Sequence, residues 1–428
     1  MPDLLLTDIV LPDGRPADVE IRSGAITRLG PHLPRDPALP HEPGRGLLAL
    51  PGCIDMHVHF RQPGAEHKET LHSGSLAAVQ GGTTTCADMP NTSPHTTTLA
   101  ALEQKLALAA GAAGNLLFNF GAEPDNLPEV RRAAAHPRVK ALKIYLGPST
   151  GQGGLAPPAV EAHFRQAAEL DLPVMVHAED LALIEAESAR HPHTARHHTD
   201  LRPPQAELSA VGQALAWAKA YGVRLCLSHV TNAEVIRLAE DSGIRERVFI
   251  EVAPHHLLFS TEDIVPAEDN RFKVNPPIRP PVLRAALWAA LAARIDGLGS
   301  DHAPHTLAEK AAPYDQAPSG IPGVEAMFPL ALDWHLRGTY DLHRLVALTS
   351  ANAARFFGLN KGRLAPGADG DLVLVDPRAR WTLGGNGGGT GRPIASKCGW
   401  SPYAGRRLLG RPRVTIVGGR VAHRAGQD

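Results

Sequence analysis

Eight short apolar runs, separated by helical or polar stretches, limit this chain to very few folds. The runs are Leu50 to His57, Thr83 to Met89, Asn115 to Gly121, Lys140 to Leu146, Leu172 to His177, Arg224 to His229, Val248 to Val252 and Gly297 to Ser300. Leu99 to Ala113, Gln205 to Ala220 and Pro281 to Arg294 carry helical periodicity between them, and a shorter helix from Leu76 to Gln80 stops at Gly81-Gly82. Strand and helix alternating eight times predict a (β/α)8 barrel. A doubly wound sheet is the alternative, but ligand-type residues at most strand ends favour closure.

The two ends of the chain read differently. Leu4 to Val10, Ala17 to Ile21 and Ala25 to Leu29 are short strands split by turns at Pro12-Asp13-Gly14 and Ser23-Gly24, with no helix to cover them. The C-terminal runs DLVLVD (Asp371 to Asp376) and VTIVGGRV (Val414 to Val421) are again β-branched. Both ends are therefore expected to meet in a small β-sandwich, residues 1–49 with 359–428, flanking a barrel of residues 50–358.

At 428 residues, 43% hydrophobic and 20% charged, the chain has the composition of an ordinary globular protein. A formal net charge of -1 argues against a nucleic-acid partner. Cys53, Cys86, Cys226 and Cys398 are dispersed, which fits a reducing compartment better than a disulfide framework or zinc ribbon. Neither a signal peptide nor a membrane span is expected, so cytoplasmic location is the default.

The chemistry centres on PGCIDMHVHFRQPG, Pro51 to Gly64. Alternate strand residues share a face, so His57 and His59 point the same way and can grip one divalent metal. Alone, such a pair also reads as two strand histidines satisfied by hydrogen bonds. Arg61, one pleat on, offers a planar fork suited to a carboxylate. Further strand ends carry Lys143, His177, His229 and Asp301. Four histidines and an aspartate at barrel strand ends form a metal constellation; they could fill one site, and two metals would also want an anionic bridge. A lysine carbamylated by carbon dioxide is such a bridge, although Lys143 also reads as an ordinary lysine.

Ten stretches, DMHVHFRQPG, ADMPNTSP, LKIYLGPSTG, VMVHAED, LSHVT, EVAPHHL, KVNPPIR, GSDHAPHT, SGIPGVE and KGRLAPGADGDLVLVD, together resemble the dihydroorotases of the amidohydrolase superfamily. The resemblance runs from Pro51 to Gly419 and implies a barrel flanked by a β-sandwich from both termini. It further implies two zinc ions per subunit: His57, His59 and Asp301 on the more buried one, His177 and His229 on the other, with carbamylated Lys143 between them. Some members bridge with a loop aspartate instead, and none lies between Lys143 and Asp171 here.

The implied reaction is reversible hydrolysis of dihydroorotate to N-carbamoyl-L-aspartate in pyrimidine biosynthesis, with Asp301 as the proton shuttle. Arg61 would meet the ring carboxylate, with Asn91, Asn275, His305 and the backbone of Pro322-Gly323 as further substrate contacts. Asn91 and Asn275 also read as initiators of their Pro-containing turns. Gln62 departs from the acidic residue usual before Pro-Gly and leaves the positioning of Arg61 open. A homodimer, and association with aspartate transcarbamoylase, are implied partners. An allantoinase or dihydropyrimidinase, or a catalytically silent scaffold, are the alternatives. Arg61 weighs against the first and the intact ligand set against the second.

Other features read as structural. His191-Pro192-His193 and His197-His198 suggest a solvated loop, and His255-His256 either orient ligands or pack. GGNGGGTG, Gly384 to Gly391, lacks the Gly-Lys-Ser/Thr ending of a phosphate loop and reads as a connection. Thr306 to Gly320 is the expected mobile loop over the site.

Overall fold

In this computed structural model, residues 3–149, 153–385 and 391–426 are described. Eight parallel strands pair in chain order: Cys53–Val58, Thr83–Asp88, Asn115–Gly121, Val139–Tyr145, Val174–His177, Leu225–Leu227, Val248–Val252 and Gly297–Leu298. The barrel closes along a seam between the first and eighth. There Val58 bridges His302, the His59 N–H donates to the His302 carbonyl (2.7 Å), and Asp55 Oδ1 accepts from the Ser300 N–H (3.0 Å). The barrel class read from the alternation is the one observed.

Alternate strand residues fill the barrel interior, where Ile54, Met56, Met89, Leu117, Ala141, Met175, Cys226 and Phe249 form one cluster. The same alternation aims Lys143, His177 and Glu251 inward, each two residues beyond a member of that cluster. The first strand breaks its alternation. Its pairing register with the second shifts between Asp55 and Val58, a bulge-like irregularity. Bulges re-aim side chains; here the inward positions move from Ile54 and Met56 to His57 and His59.

The run from Leu50 to His57 is two strands, not one. Leu48–Pro51 pairs with Leu372 to Val375 in the terminal sheet, whereas Cys53 begins the barrel. Gly52 between them lies so close to Thr84 that a Cβ would sit 2.3 Å from its hydroxyl oxygen.

The terminal sheet has nine strands among the described residues. Leu4–Val10, Pro16–Arg22, Ala25–Gly30, His41–Pro43 and Leu48–Pro51 come from the N-terminal part, and Leu372–Leu383, Gly391–Arg392, Arg407–Val417 and Arg420–Arg424 from the C-terminal part. Leu372–Leu383 carries the junction: Leu372 and Leu374 enter the sheet's own core, Val373 and Val375 the main core. The stretch from Val414 to Val421 turns at Gly418-Gly419, both at positive φ, into a hairpin.

From this sheet a strap returns to the barrel. Arg392 pairs with Glu325 (2.6 Å), Ser396 Oγ donates to Glu69 (2.5 Å), and Trp400 Nε1 donates to the His305 carbonyl (2.7 Å). Residues 386–390 of the Gly-rich run lie outside the described residues. No helix among those described is long and apolar enough to cross a membrane.

Candidate active site

One pocket opens at the C-terminal ends of the barrel strands and collects nine of the twelve residues singled out in the sequence. His57, His59, Arg61, Asn91, Lys143, His177, His229, Asn275 and Asp301 line it, with Tyr145, Ser149, Ala303, Ser319 and Gly320. Its backbone is unusual. Of eight described non-glycine residues at positive φ, three belong here: Arg61 (60°), His229 (40°) and Asp301 (45°). Such conformations persist where the surrounding structure over-determines them.

His57, His59 and Asp301 are buried, with one candidate ligand atom from each lying within 4.8 Å of the others. The Nε2 atoms of His57 and His59 lie 3.4 and 3.2 Å from Asp301 Oδ1. Each ring is held from behind: His57 Nδ1 by Glu251 Oε1 (2.8 Å) and His59 Nδ1 by Asn91 Oδ1 (2.5 Å). An acceptor at Nδ1 fixes the proton there and leaves the Nε2 lone pair for a metal. Burial pulls His59 down to about 4, so it is neutral. Burial would raise the Asp301 carboxyl, but His57, His59 and His229 around it hold it well below the usual carboxylate range.

The second group is equally buried. His177 Nδ1 and His229 Nε2 lie 3.1 Å apart, and His177 Nε2 meets Glu179 Oε2 at 2.9 Å. Arg202 clamps that Glu179 carboxylate. Burial keeps both imidazoles neutral by lowering them. Lys143 is 1% exposed, hydrogen-bonds only Ser228 Oγ (3.3 Å) among the described residues, and is pushed by burial down to about 8 against the pull of Glu251. Four buried imidazoles, three of them lowered by burial, an ionised carboxylate and an amine that loses its proton easily fit a divalent-metal centre.

Arg61 is buried, and burial lowers its guanidinium to about 10, still protonated at neutral pH. Nε donates to the Pro304 carbonyl (3.2 Å), and no carboxylate pairs with it among the described residues. His305 lies behind it, with Nε2 3.0 Å from Arg61 Nη2 and 3.1 Å from the Ser319 carbonyl. Lys68 Nζ, 3.0 Å from Nδ1, can only donate, which places the His305 proton on Nε2, toward Ser319. That tautomer leaves the outer N–H groups of Arg61 for another acceptor. Gln62 turns away instead, accepting from the Leu71 N–H (3.0 Å) at the start of the helix Leu71–Gln80. The amide therefore leaves Arg61 in place.

Three singled-out residues stand apart from the pocket lining. His305 acts from behind Arg61. Pro322 and Gly323 line a neighbouring cavity with His302 and Ser396, and the Gly323 N–H is occupied by His302 Nδ1 (3.0 Å). Ala303, Ser319 and Gly320 form the pocket wall instead.

Sequence reasoning passed over several supports. Glu251 sits two residues past Phe249 in VFIEV, and a charged residue on an inward strand position was the available signal. Its carboxylate also packs where a Cβ on Gly299 would be, 2.5 Å away. His198, expected in a solvated loop, is buried: Nδ1 meets the Tyr314 hydroxyl (2.5 Å) and Nε2 meets Asn275 Oδ1 (2.7 Å). Thr306 to Gly320 is tied down. Lys310 Nζ donates to the carbonyls of Lys273 and Pro318, and Lys273 Nζ to those of Tyr314 and Ala317. His255 and His256 are buried with ring nitrogens that meet no partner among the described residues.

A parallel barrel with such a cluster at its strand ends defines an amidohydrolase-type centre. The chain belongs to the amidohydrolase family, whose pattern it matches over residues 48–421, and is a cyclic amide hydrolase. It is 38% identical over 420 residues to the dihydroorotase of Halobacterium salinarum, covering 97% of this chain and 95% of that one. It is 35% identical over 420 residues to the dihydroorotase of Brevibacillus brevis, covering 95% of each. Among solved structures, an L-hydantoinase (dihydropyrimidinase) from Arthrobacter aurescens superposes with a TM-score of 0.89 at 27% identity, covering 100% of this chain and 97% of that one. A D-hydantoinase (dihydropyrimidinase) from Thermus sp. gives 0.87 at 26% identity, covering 99% and 97%.

Proposed function

We propose that this chain is a dihydroorotase, catalysing reversible hydrolysis of dihydroorotate to N-carbamoyl-L-aspartate in pyrimidine biosynthesis. One observation carries the choice among cyclic amides: Arg61 lines the pocket as a buried cation with no carboxylate partner among the described residues. A desolvated, unpaired charge is unfavourable, so the pocket calls for an anionic substrate. Dihydroorotate brings a ring carboxylate; hydantoin and dihydrouracil bring none.

The site would hold two zinc ions, the first on His57, His59 and Asp301, the second on His177 and His229. Lys143 would be carbamylated between them, and its lowered pKa supplies the neutral amine that reacts with carbon dioxide. When bound, such metals polarise an amide carbonyl and acidify water. Arg61 clamps the carboxylate and fixes the ring. Asp301, ionised and beside His57 and His59, takes the proton of the attacking water and delivers it to the leaving ring nitrogen. Glu251 and Asn91 keep the ligand rings from turning. A cytoplasmic homodimer belongs to the same reading.

The test is turnover of dihydroorotate, dihydrouracil and allantoin by the zinc-loaded protein, with Arg61→Ala beside it. Strong preference for dihydroorotate, lost in the variant, is the expected result. Faster turnover of the uncharged rings, indifferent to Arg61, would move the chain to the hydantoinase side.

A further inference from the structure

Tyr145 closes the fourth barrel strand, two residues beyond Lys143 and on the same inward face. Its ring is wedged into the site: Lys143 Nζ lies 5.3 Å from the ring centroid, and the His177 ring lies 6.0 Å away. The residue is 4% exposed and lines the pocket, yet its hydroxyl meets no hydrogen-bond partner among the described residues.

A buried hydroxyl left without a partner is unfavourable, because it has given up its hydrogen bonds to water. Phenylalanine would fill the same space without that penalty, so packing does not account for the oxygen. Buried tyrosine hydroxyls ordinarily find a partner. The groups it faces narrow the choice. Arg61 rises from the end of the first strand and Tyr145 from the end of the fourth, on different walls of one pocket. A phenol that shares its pocket with Arg61 is a donor in search of an oxygen.

We propose that the Tyr145 hydroxyl donates a hydrogen bond to a carbonyl oxygen of the bound cyclic amide, fixing the ring from the wall opposite its carboxylate clamp. This rests on the dihydroorotase reading. With the carboxylate on Arg61, the acceptors left on the ring are its carbonyl oxygens. Two fixed points stop the ring from pivoting about its carboxylate, and an amide whose carbonyl is held is presented to Asp301 in one orientation. Tyr145 thereby acts on substrate selection, rejecting anionic rings that lack an oxygen at that place.

Tyr145→Phe keeps the ring and removes one oxygen. In the zinc-loaded protein we expect KM for dihydroorotate to rise about tenfold, the size of one lost hydrogen bond. Metal content should stay at the wild-type level, and the thermal midpoint should hold or rise, since an orphaned buried group has gone. A KM within twofold of wild type overturns the proposal, as does a loss of metal or a lower midpoint, either of which would assign Tyr145 to the scaffold. Wild-type turnover of dihydroorotate is read first. Its absence defeats the functional reading, whereas its presence with an indifferent Tyr145→Phe defeats only this inference.

Discussion

Lys105 Nζ lies 2.6 Å from Asp88 Oδ2, and neither side chain is exposed to solvent. The pair knots two loops of the pocket. Asp88 Oδ1 accepts from the Phe60 N–H (2.8 Å), next to Arg61, while Lys105 donates to the Met89 carbonyl (2.8 Å), two residues before Asn91. Removing one partner of a buried pair leaves an uncompensated charge, worth about 3–5 kcal/mol. Lys105→Met should therefore lower the urea midpoint markedly and weaken dihydroorotate binding. An unchanged midpoint would show that the pair holds nothing.

Gln62 supplies an uncharged acceptor to the first N–H of a helix with no acidic residue in its first turn. A carboxylate there would complement the helix dipole by about 0.3–1 kcal/mol. Gln62→Glu should raise the thermal midpoint slightly and leave kcat/KM within about twofold, because Arg61 is held by Pro304 instead. A collapse in kcat/KM would reveal that the amide governs Arg61 after all.

Lys143 stands among the histidines with a single hydrogen bond among the described residues, to Ser228. Lys143→Ala should lose one of two metals, and a short carboxylic acid such as propionate should restore part of the activity by standing in for the carbamate. Metal analysis decides the matter; two metals retained in the variant would sink the bridging role.

Glu20, buried in the terminal sheet, is held down to about 2 by its hydrogen bond with Arg28, aided by Thr27. A carboxyl lowered on folding contributes stability above its unfolded pKa and loses it as pH falls through the folded value. That window runs from 4.5 to about 2. Arg28 is half-exposed, so the contribution is only about 1 kcal/mol. Glu20→Gln should be less stable than wild type at pH 7 and equal to it near pH 2. A gap in unfolding free energy that is constant across pH would exclude the ion pair as its source.

The barrel was legible because strand and helix periods alternate without interruption, and most ligand candidates because barrel chemistry gathers at strand ends. The spacing of His57 and His59 puts them on one face and both line the pocket, but the register shift that turns that face inward leaves no mark in the residues themselves. Leu48–Pro51 and Cys53–Val58 merged into one strand because both are apolar and only Gly52 separates them. His198 was misread through its neighbours. Pro, Thr and Arg around it suggest solvent, whereas its burial depends on Tyr314 and Asn275, both far along the chain. The hydroxyl of Tyr145 gave no warning, because being without a partner is a property of three dimensions.

The indole of Trp400 carries one last implication. It anchors the carbonyl of His305, whose ring lies against the guanidinium of Arg61, so the placing of Arg61 begins in the strap that returns from the terminal sheet. A barrel excised from its flanking sheet would keep every residue that lines the pocket and still lose the tether that sets the clamp. Shortening the C-terminus should therefore loosen Arg61 before it removes a single residue that lines the pocket.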